Sequence, residues 1–134
     1  MTNKEIAQKG YECFGTGDIA GLLDLCAEDI NWTIPVVENA AYSGSRTGKA
    51  AVGEFFSLLD AAEDFSDFTP KEFIAEGDKV VVLGQSTATV KETGKTFSTD
   101  WVHIFTITDG KIANFLEHFD NAAANRAYQK TASA

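Results

Sequence analysis

An α+β fold is predicted by a change of period partway along the chain. Up to about residue 63 most apolar residues recur at helical spacing; from residue 67 onward they alternate, and three glycine-containing turns separate the alternating runs. The reading is three helices followed by antiparallel strands, folded as one domain over residues 1–134.

Residues 3–15 form the first helix, with Ile6, Gly10, Cys13 and Phe14 near one face and Ala7 and Tyr11 beside them. Gly15-Thr16-Gly17-Asp18 stops it: either glycine can take the left-handed C-cap, and Asp18 can cap the next helix. That second helix covers about 18–28 and buries Ile19, Leu22, Leu23 and Cys26; so short a turn makes a helical hairpin. Ile30-Asn31-Trp32-Thr33-Ile34 alternates and is a strand, ended by Pro35. Residues 36–48 are a loop carrying Tyr42 and Arg46. Thr47 can cap a third helix over 48–63, where Val52, Phe55, Phe56 and Leu59 form a helical stripe. The acidic run from Asp60 to Asp67 reads as a solvated helix end and turn. Strands follow near 68–76, 79–91, 96–108 and 111–120, joined by turns so short that neighbours must be antiparallel. Residues 131–134 are expected to fray.

Side chains alternate across a strand, so each strand has two faces. Near 96–108 one face carries Phe97, Thr99, Trp101, His103, Phe105 and Ile107. On the last strand strict alternation puts Ile112, Asn114, Leu116, His118 and Asp120 together, opposite Ala113, Phe115, Glu117 and Phe119. Neither face is purely polar, so both need cover. Helices covering the aromatic face of a curved sheet would leave a cone, and a second subunit would cover part of the β-branched face.

The net charge of −9, with 11 Lys and Arg against 20 Asp and Glu, argues against nucleic acid and anionic membranes and favours a neutral or apolar ligand. Cys13 and Cys26 match no zinc or redox spacing and read as buried free thiols. Two histidines give no metal-site spacing, and no glycine-rich phosphate loop is present. The N-terminus lacks the apolar core of a signal peptide, and no apolar run approaches a membrane span, so the expected location is cytoplasmic.

Gly17-Asp18-Ile19 through Glu28-Asp29-Ile30-Asn31-Trp32 resembles the opening of SnoaL-like domains. So do Gly48-Lys49-Ala50-Ala51-Val52-Gly53-Glu54-Phe55-Phe56 and Glu76-Gly77-Asp78-Lys79-Val80-Val81-Val82. Asp100-Trp101-Val102-His103-Ile104-Phe105, followed by Asp109-Gly110-Lys111-Ile112 and Phe119-Asp120-Asn121-Ala122-Ala123, looks like the ketosteroid-isomerase-related branch of the SnoaL-like, NTF2-like superfamily. The resemblance runs from about residue 3 to 128. It implies an NTF2-like cone, three N-terminal helices on a curved, mostly antiparallel sheet, commonly a homodimer packed sheet against sheet. It does not imply one function, because this fold hosts isomerases, cyclases, hydrolases, dehydratases and non-enzymes. In SnoaL-type cyclases the proposed acid/base is an aspartate in the last strand, which Asp120 matches. Limonene epoxide hydrolases add an arginine and a second aspartate where this chain has Gln85 and Thr87. Ketosteroid isomerases place their base where this chain has Ile34, and their oxyanion-hole acid falls near His103. Both conventional activities are therefore not expected.

The candidate catalytic residues are Asp120, His103 and His118, set among Trp32, Tyr42, Trp101, Phe105 and Leu116 as ligand contacts. A carboxylate beside apolar walls can be tuned for proton transfer, and aromatic residues supply apolar area with a polar handle. Asp120 can equally cap a helical turn at Asp120-Asn121-Ala122-Ala123, His118 can be a rim residue, and Tyr11 reads as core. The expected function is cofactor-independent acid/base chemistry, of isomerase or cyclase type, on a small apolar carbonyl compound. The alternative is a non-catalytic ligand-binding or dimeric interaction domain of the same fold.

Overall fold

The computed structural model describes residues 1–130, so the fraying expected at 131–134 falls outside the described residues. The elements run α1 (Asn3–Thr16), α2 (Ile19–Asp24), β1 (Cys26–Ile34), β2 (Gly44–Thr47), α3 (Lys49–Ala62), β3 (Glu63–Glu76), β4 (Lys79–Val90), β5 (Thr96–Thr108), β6 (Lys111–Phe119) and α4 (Asn121–Tyr128). Helices pack on a curved, unclosed six-stranded sheet of order β2-β1-β6-β5-β4-β3. Every neighbouring pair is antiparallel except β1 with β6. The fold is the expected NTF2-like α+β arrangement, with a fourth helix added at the C-terminal side. No helix among the described residues is long and apolar enough to cross a membrane.

Local chemistry sets the boundaries of α1. Thr2 and Glu5 form a reciprocal capping box at its start, and Gly17, at φ 75°, supplies the left-handed C-cap. Asp18 caps α2 through the Gly21 amide, as its position implies. Elsewhere tertiary pairing overrides the local pattern. The second helix stops at Asp24, because Leu25 and Cys26 are drawn into the sheet: the Ile112 amide donates to the Leu25 carbonyl at 2.8 Å and Cys26 pairs with Ile112. Gly48, at φ 93°, and not Thr47, begins α3; Thr47 instead donates to Asn31 across the β1–β2 pair. The acidic run is a solvated helix end only as far as Ala62 and is strand from Glu63, since β3 pairs with β4 from Glu63 opposite Val90 to Glu76 opposite Lys79. Pro70 is tolerated because β3 is an edge strand and its register shifts there.

The alternation on β4 is complete: Val80, Val82, Gly84, Ser86, Ala88 and Val90 are buried and the residues between them half-buried. On β5 the buried set is Thr99, Trp101, His103, Phe105 and Ile107. Strand β6 breaks the rule. Ile107 pairs with Ile112, but Thr106 pairs with Asn114, so Ala113 is an extra residue. The bulge reverses the face of everything after it, because side-chain direction has a period of two. Phe115, Glu117 and Phe119 therefore face inward. Leu116 and His118 face outward, contrary to the alternation read from Ile112. Cys13 and Cys26 are buried free thiols; burial pushes Cys26 up to about 11.

Candidate active site in an aromatic cavity

The helices and the concave side of the sheet enclose a cavity of about 100 Å³. Its walls are aromatic. Trp32 stacks on Phe115 with ring centres 3.9 Å apart, Phe55 and Phe56 meet Trp32 at 5.5 Å, and Trp101 stacks on His103 at 3.9 Å. Phe115 approaches His103 edge-on at 4.8 Å. The close stacking at Trp101 depends on Gly84, its partner across the β4–β5 ladder. A Cβ there would lie 2.3 Å from the indole ring.

Two sets of polar side chains interrupt this wall. In the first, Tyr11 of α1, His103 of β5 and Glu117 of β6 form a chain. The Tyr11 hydroxyl lies 2.7 Å from His103 Nδ1, and His103 Nε2 lies 2.6 Å from Glu117 Oε2. The strand register sets the second contact, since His103 and Glu117 are direct cross-strand partners. His103 is only 4% exposed, so its two ring nitrogens are satisfied by protein. Burial, reinforced by the nearby Glu117 charge, drives the Tyr11 hydroxyl well above the usual phenol range, so Tyr11 stays a neutral donor or acceptor.

In the second set, Glu63 at the start of β3 accepts the Tyr42 hydroxyl on Oε2 at 2.7 Å, and the Tyr128 hydroxyl of α4 on the same oxygen. Burial raises the Glu63 carboxyl above its ordinary value. The two tyrosine hydrogen bonds oppose that rise, and the Glu117 charge adds to it. The Tyr42 and Tyr128 hydroxyls are also pushed upward, chiefly by burial. The indole N–H groups of Trp32 and Trp101, both residues of the cavity wall, are buried without an acceptor among the described residues.

Of the residues picked out from sequence, His103, Trp32, Tyr42, Trp101 and Phe105 line this cavity. Three others do not. Leu116 points to the outer face in the row of Ile104, and His118 is exposed opposite Val102; the bulge at Ala113 accounts for both. Asp120 is exposed just past the end of β6. It caps α4, its Oδ1 accepting the Ala123 amide at 3.0 Å while its own amide donates to Thr99 Oγ1 at 2.9 Å. His103 is thus brought together with the aromatics, but not with Asp120 or His118. The polar groups that sequence reasoning missed are Tyr11, Glu63 and Glu117. Tyr11 carried a usable signal: Ala7, Tyr11 and Phe14 sit at i, i+4 and i+7 on α1.

Helices closing a curved sheet over an apolar cavity define an NTF2-like domain, a class that typically binds small molecules. The chain belongs to the SnoaL-like domain family, whose model matches residues 7–115. It is similar over 95% of both chains to an NTF2-like protein of Burkholderia xenovorans LB400, at 35% identity and a TM-score of 0.87. It is 30% identical to TerC, crystallised with polyporic acid, covering 96% of this chain and 98% of that one at a TM-score of 0.85. An NTF2-like protein of unknown function from Burkholderia pseudomallei K96243 is 27% identical over 96% of this chain and 99% of that one, with a TM-score of 0.83. No curated protein matches the chain.

Proposed function

We propose that this chain is a single cytoplasmic domain that binds a small, neutral, apolar carbonyl compound and moves a proton beside the carbonyl without a cofactor. The observation that carries the reading is the Tyr11–His103–Glu117 chain inside an aromatic cavity. An engineered cavity of about 150 Å³ takes benzene; at about 100 Å³ this one is smaller, so a substituted ring enters only as wall side chains move outward. The likeness to TerC, crystallised with polyporic acid, supports an organic small molecule as the ligand.

When His103 is protonated, both its nitrogens donate, one to Glu117 and one to the Tyr11 oxygen. The Tyr11 O–H is then free to meet a ligand carbonyl. The free oxygen of Glu117 takes the proton from the carbon beside the carbonyl. The C–H electron pair becomes the new C=C bond, and the carbonyl pair moves onto oxygen. Tyr11 gives that oxygen its proton and takes the Nδ1 proton of His103. The result is an enol, protonated Glu117 and neutral His103. Where the compound carries a β,γ double bond the enol is a dienol, and return of the Glu117 proton to its γ carbon, with the other transfers reversed, moves the double bond into conjugation and restores the site. Acid/base assistance of this kind contributes about 10²–10⁴-fold. The test is deuterium incorporation into acetophenone and cyclohexanone in D₂O, followed by proton NMR. The protein should accelerate exchange, and Tyr11→Phe should lower that acceleration by about 10²-fold or more. Exchange no faster than in buffer with either ketone would sink the catalytic reading.

The outer face of the sheet supports a second copy as partner. Ile74, Val81, Ile104 and Leu116 stand in one row across β3, β4, β5 and β6, and Ile74 is 53% exposed. A continuous apolar row open to water is unfavourable, and a matching face would cover it. Sedimentation should give two copies for the wild type and one for Ile104→Glu. A monomeric wild type at micromolar concentration would refute the pairing.

A further inference from the structure

The second polar set has no part in the chemistry above, yet it belongs to the same cavity. Glu63 lies in register with Val90 of β4 and His103 with Val82, so eight residues of β4 (90 − 82) separate their levels in the sheet. Both Glu63 and Glu117 nonetheless line one cavity, and the Glu117 charge is felt at Glu63. Glu63 is 5% exposed, and its two tyrosine donors both fall on Oε2. A carboxyl group offers about four lone-pair positions over two oxygens. Oε1 is the atom left without a protein donor among the described residues.

We infer that Oε1 of Glu63 is a second ligand-binding atom of this cavity and that it takes a hydroxyl group. The occupant is then a small neutral molecule with a hydroxyl at one end and a carbonyl at the other, a hydroxyaryl ketone in chemical class. The carbonyl half rests on the reading above; the hydroxyl half does not. Three arguments select a hydroxyl. Ionised Glu63 can only accept, and neutral Glu63 can donate from Oε1; a hydroxyl both gives and takes, so it pairs with either form. A carboxylate would bring a third anionic group beside Glu63 and Glu117. An ammonium pairs only with the ionised form and would have to shed its water among phenyl and indole rings.

The competing account makes Glu63 only a latch that ties the Tyr42 loop and α4 to the sheet. Affinities of phenol, toluene, acetophenone and 4-hydroxyacetophenone, measured by ligand-observed NMR, separate the two. The wild type should bind phenol about tenfold more tightly than toluene, and 4-hydroxyacetophenone about tenfold more tightly than acetophenone. Glu63→Met should erase both preferences. Tyr128→Phe, which loosens the latch but keeps the carboxyl, should retain them. No hydroxyl preference in the wild type, a preference that survives Glu63→Met, or an equal loss in Tyr128→Phe overturns the inference. If Glu63→Met does not fold, a crystal structure of the wild type with 4-hydroxyacetophenone decides: the hydroxyl within hydrogen-bond reach of Glu63 supports it, and any other placement overturns it. Acetophenone binding that weakens in Tyr11→Phe, with no phenol preference, overturns the Glu63 inference alone. The reverse pattern supports Glu63 and overturns the carbonyl reading.

Discussion

Glu117 stands directly across the β5–β6 ladder from His103, its Oε2 2.6 Å from His103 Nε2. The pair owes its existence to one residue, because without the bulge at Ala113 strict alternation would turn Glu117 outward and His118 inward. The bulge thus places a carboxyl group, and not a second imidazole, against His103. A carboxylate accepts from His103 and can take up a proton. That leaves the other ring nitrogen to address Tyr11 on α1.

Glu117→Gln should separate these two duties. The amide oxygen still accepts the His103 Nε2–H, so the fold and the cavity should persist, but an amide takes up no proton at neutral pH. Exchange into acetophenone is expected to fall by about 10²-fold or more, while acetophenone binding changes little. Wild-type exchange in this variant would move the base to another group.

The sequence carried the α+β class and five of the six strands, all but β2, because alternating runs and short glycine turns are local signals. It carried His103 and its aromatic neighbours because β5 alternates without interruption. What it hid is non-local. The bulge at Ala113 shows only in the pairing with β5, so Leu116 and His118 were assigned to the wrong side and Glu117 was passed over, while Asp120 took the capping role its sequence also offered. Glu63 sits in an acidic run that reads as solvated surface, and only pairing with Val90 turns it inward. Cys26 follows the helical spacing of α2 but is captured by Ile112. In each case a contact distant in sequence decided the outcome.

Gly84 tests the packing behind His103. Its backbone needs no glycine conformation; the requirement is space, since a Cβ would meet three atoms of the Trp101 indole at 2.3 to 2.7 Å. Gly84→Ala must push Trp101 off its place over His103. Overpacking of this kind costs about 1–3 kcal/mol, measurable by chemical denaturation, together with altered tryptophan emission and slower ketone exchange. An unchanged denaturation midpoint and spectrum would show that the indole has room to move.

Asp120 separates capping from chemistry. Its carboxylate caps α4 through the Ala123 amide, outside the cavity wall. Asp120→Ala should therefore cost about 0.5–2 kcal/mol of stability while exchange into acetophenone stays at the wild-type rate in the folded protein. A large fall in exchange without loss of stability would return Asp120 to the catalytic site.

Glu63 gives the fold a pH dependence of definite sign. Burial, with the Glu117 charge in addition, raises its carboxyl above the ordinary 4.5, and the bonds from Tyr42 and Tyr128 only partly offset this. The folded state then holds the Glu63 proton more tightly than the unfolded state. Its contribution to stability is fully present below about pH 4.5 and is lost as pH rises through the folded value. Other carboxylates add their own slopes, so the informative quantity is the difference between wild type and Glu63→Gln, whose amide oxygen can still accept both tyrosine hydroxyls. The variant should gain on the wild type in thermal midpoint as pH rises from about 4.5 toward neutrality, and the gap should level off once Glu63 is ionised in both states. A gap that stays constant with pH, or that shrinks, would mean that Glu63 is no harder to ionise in the folded protein than in the unfolded chain.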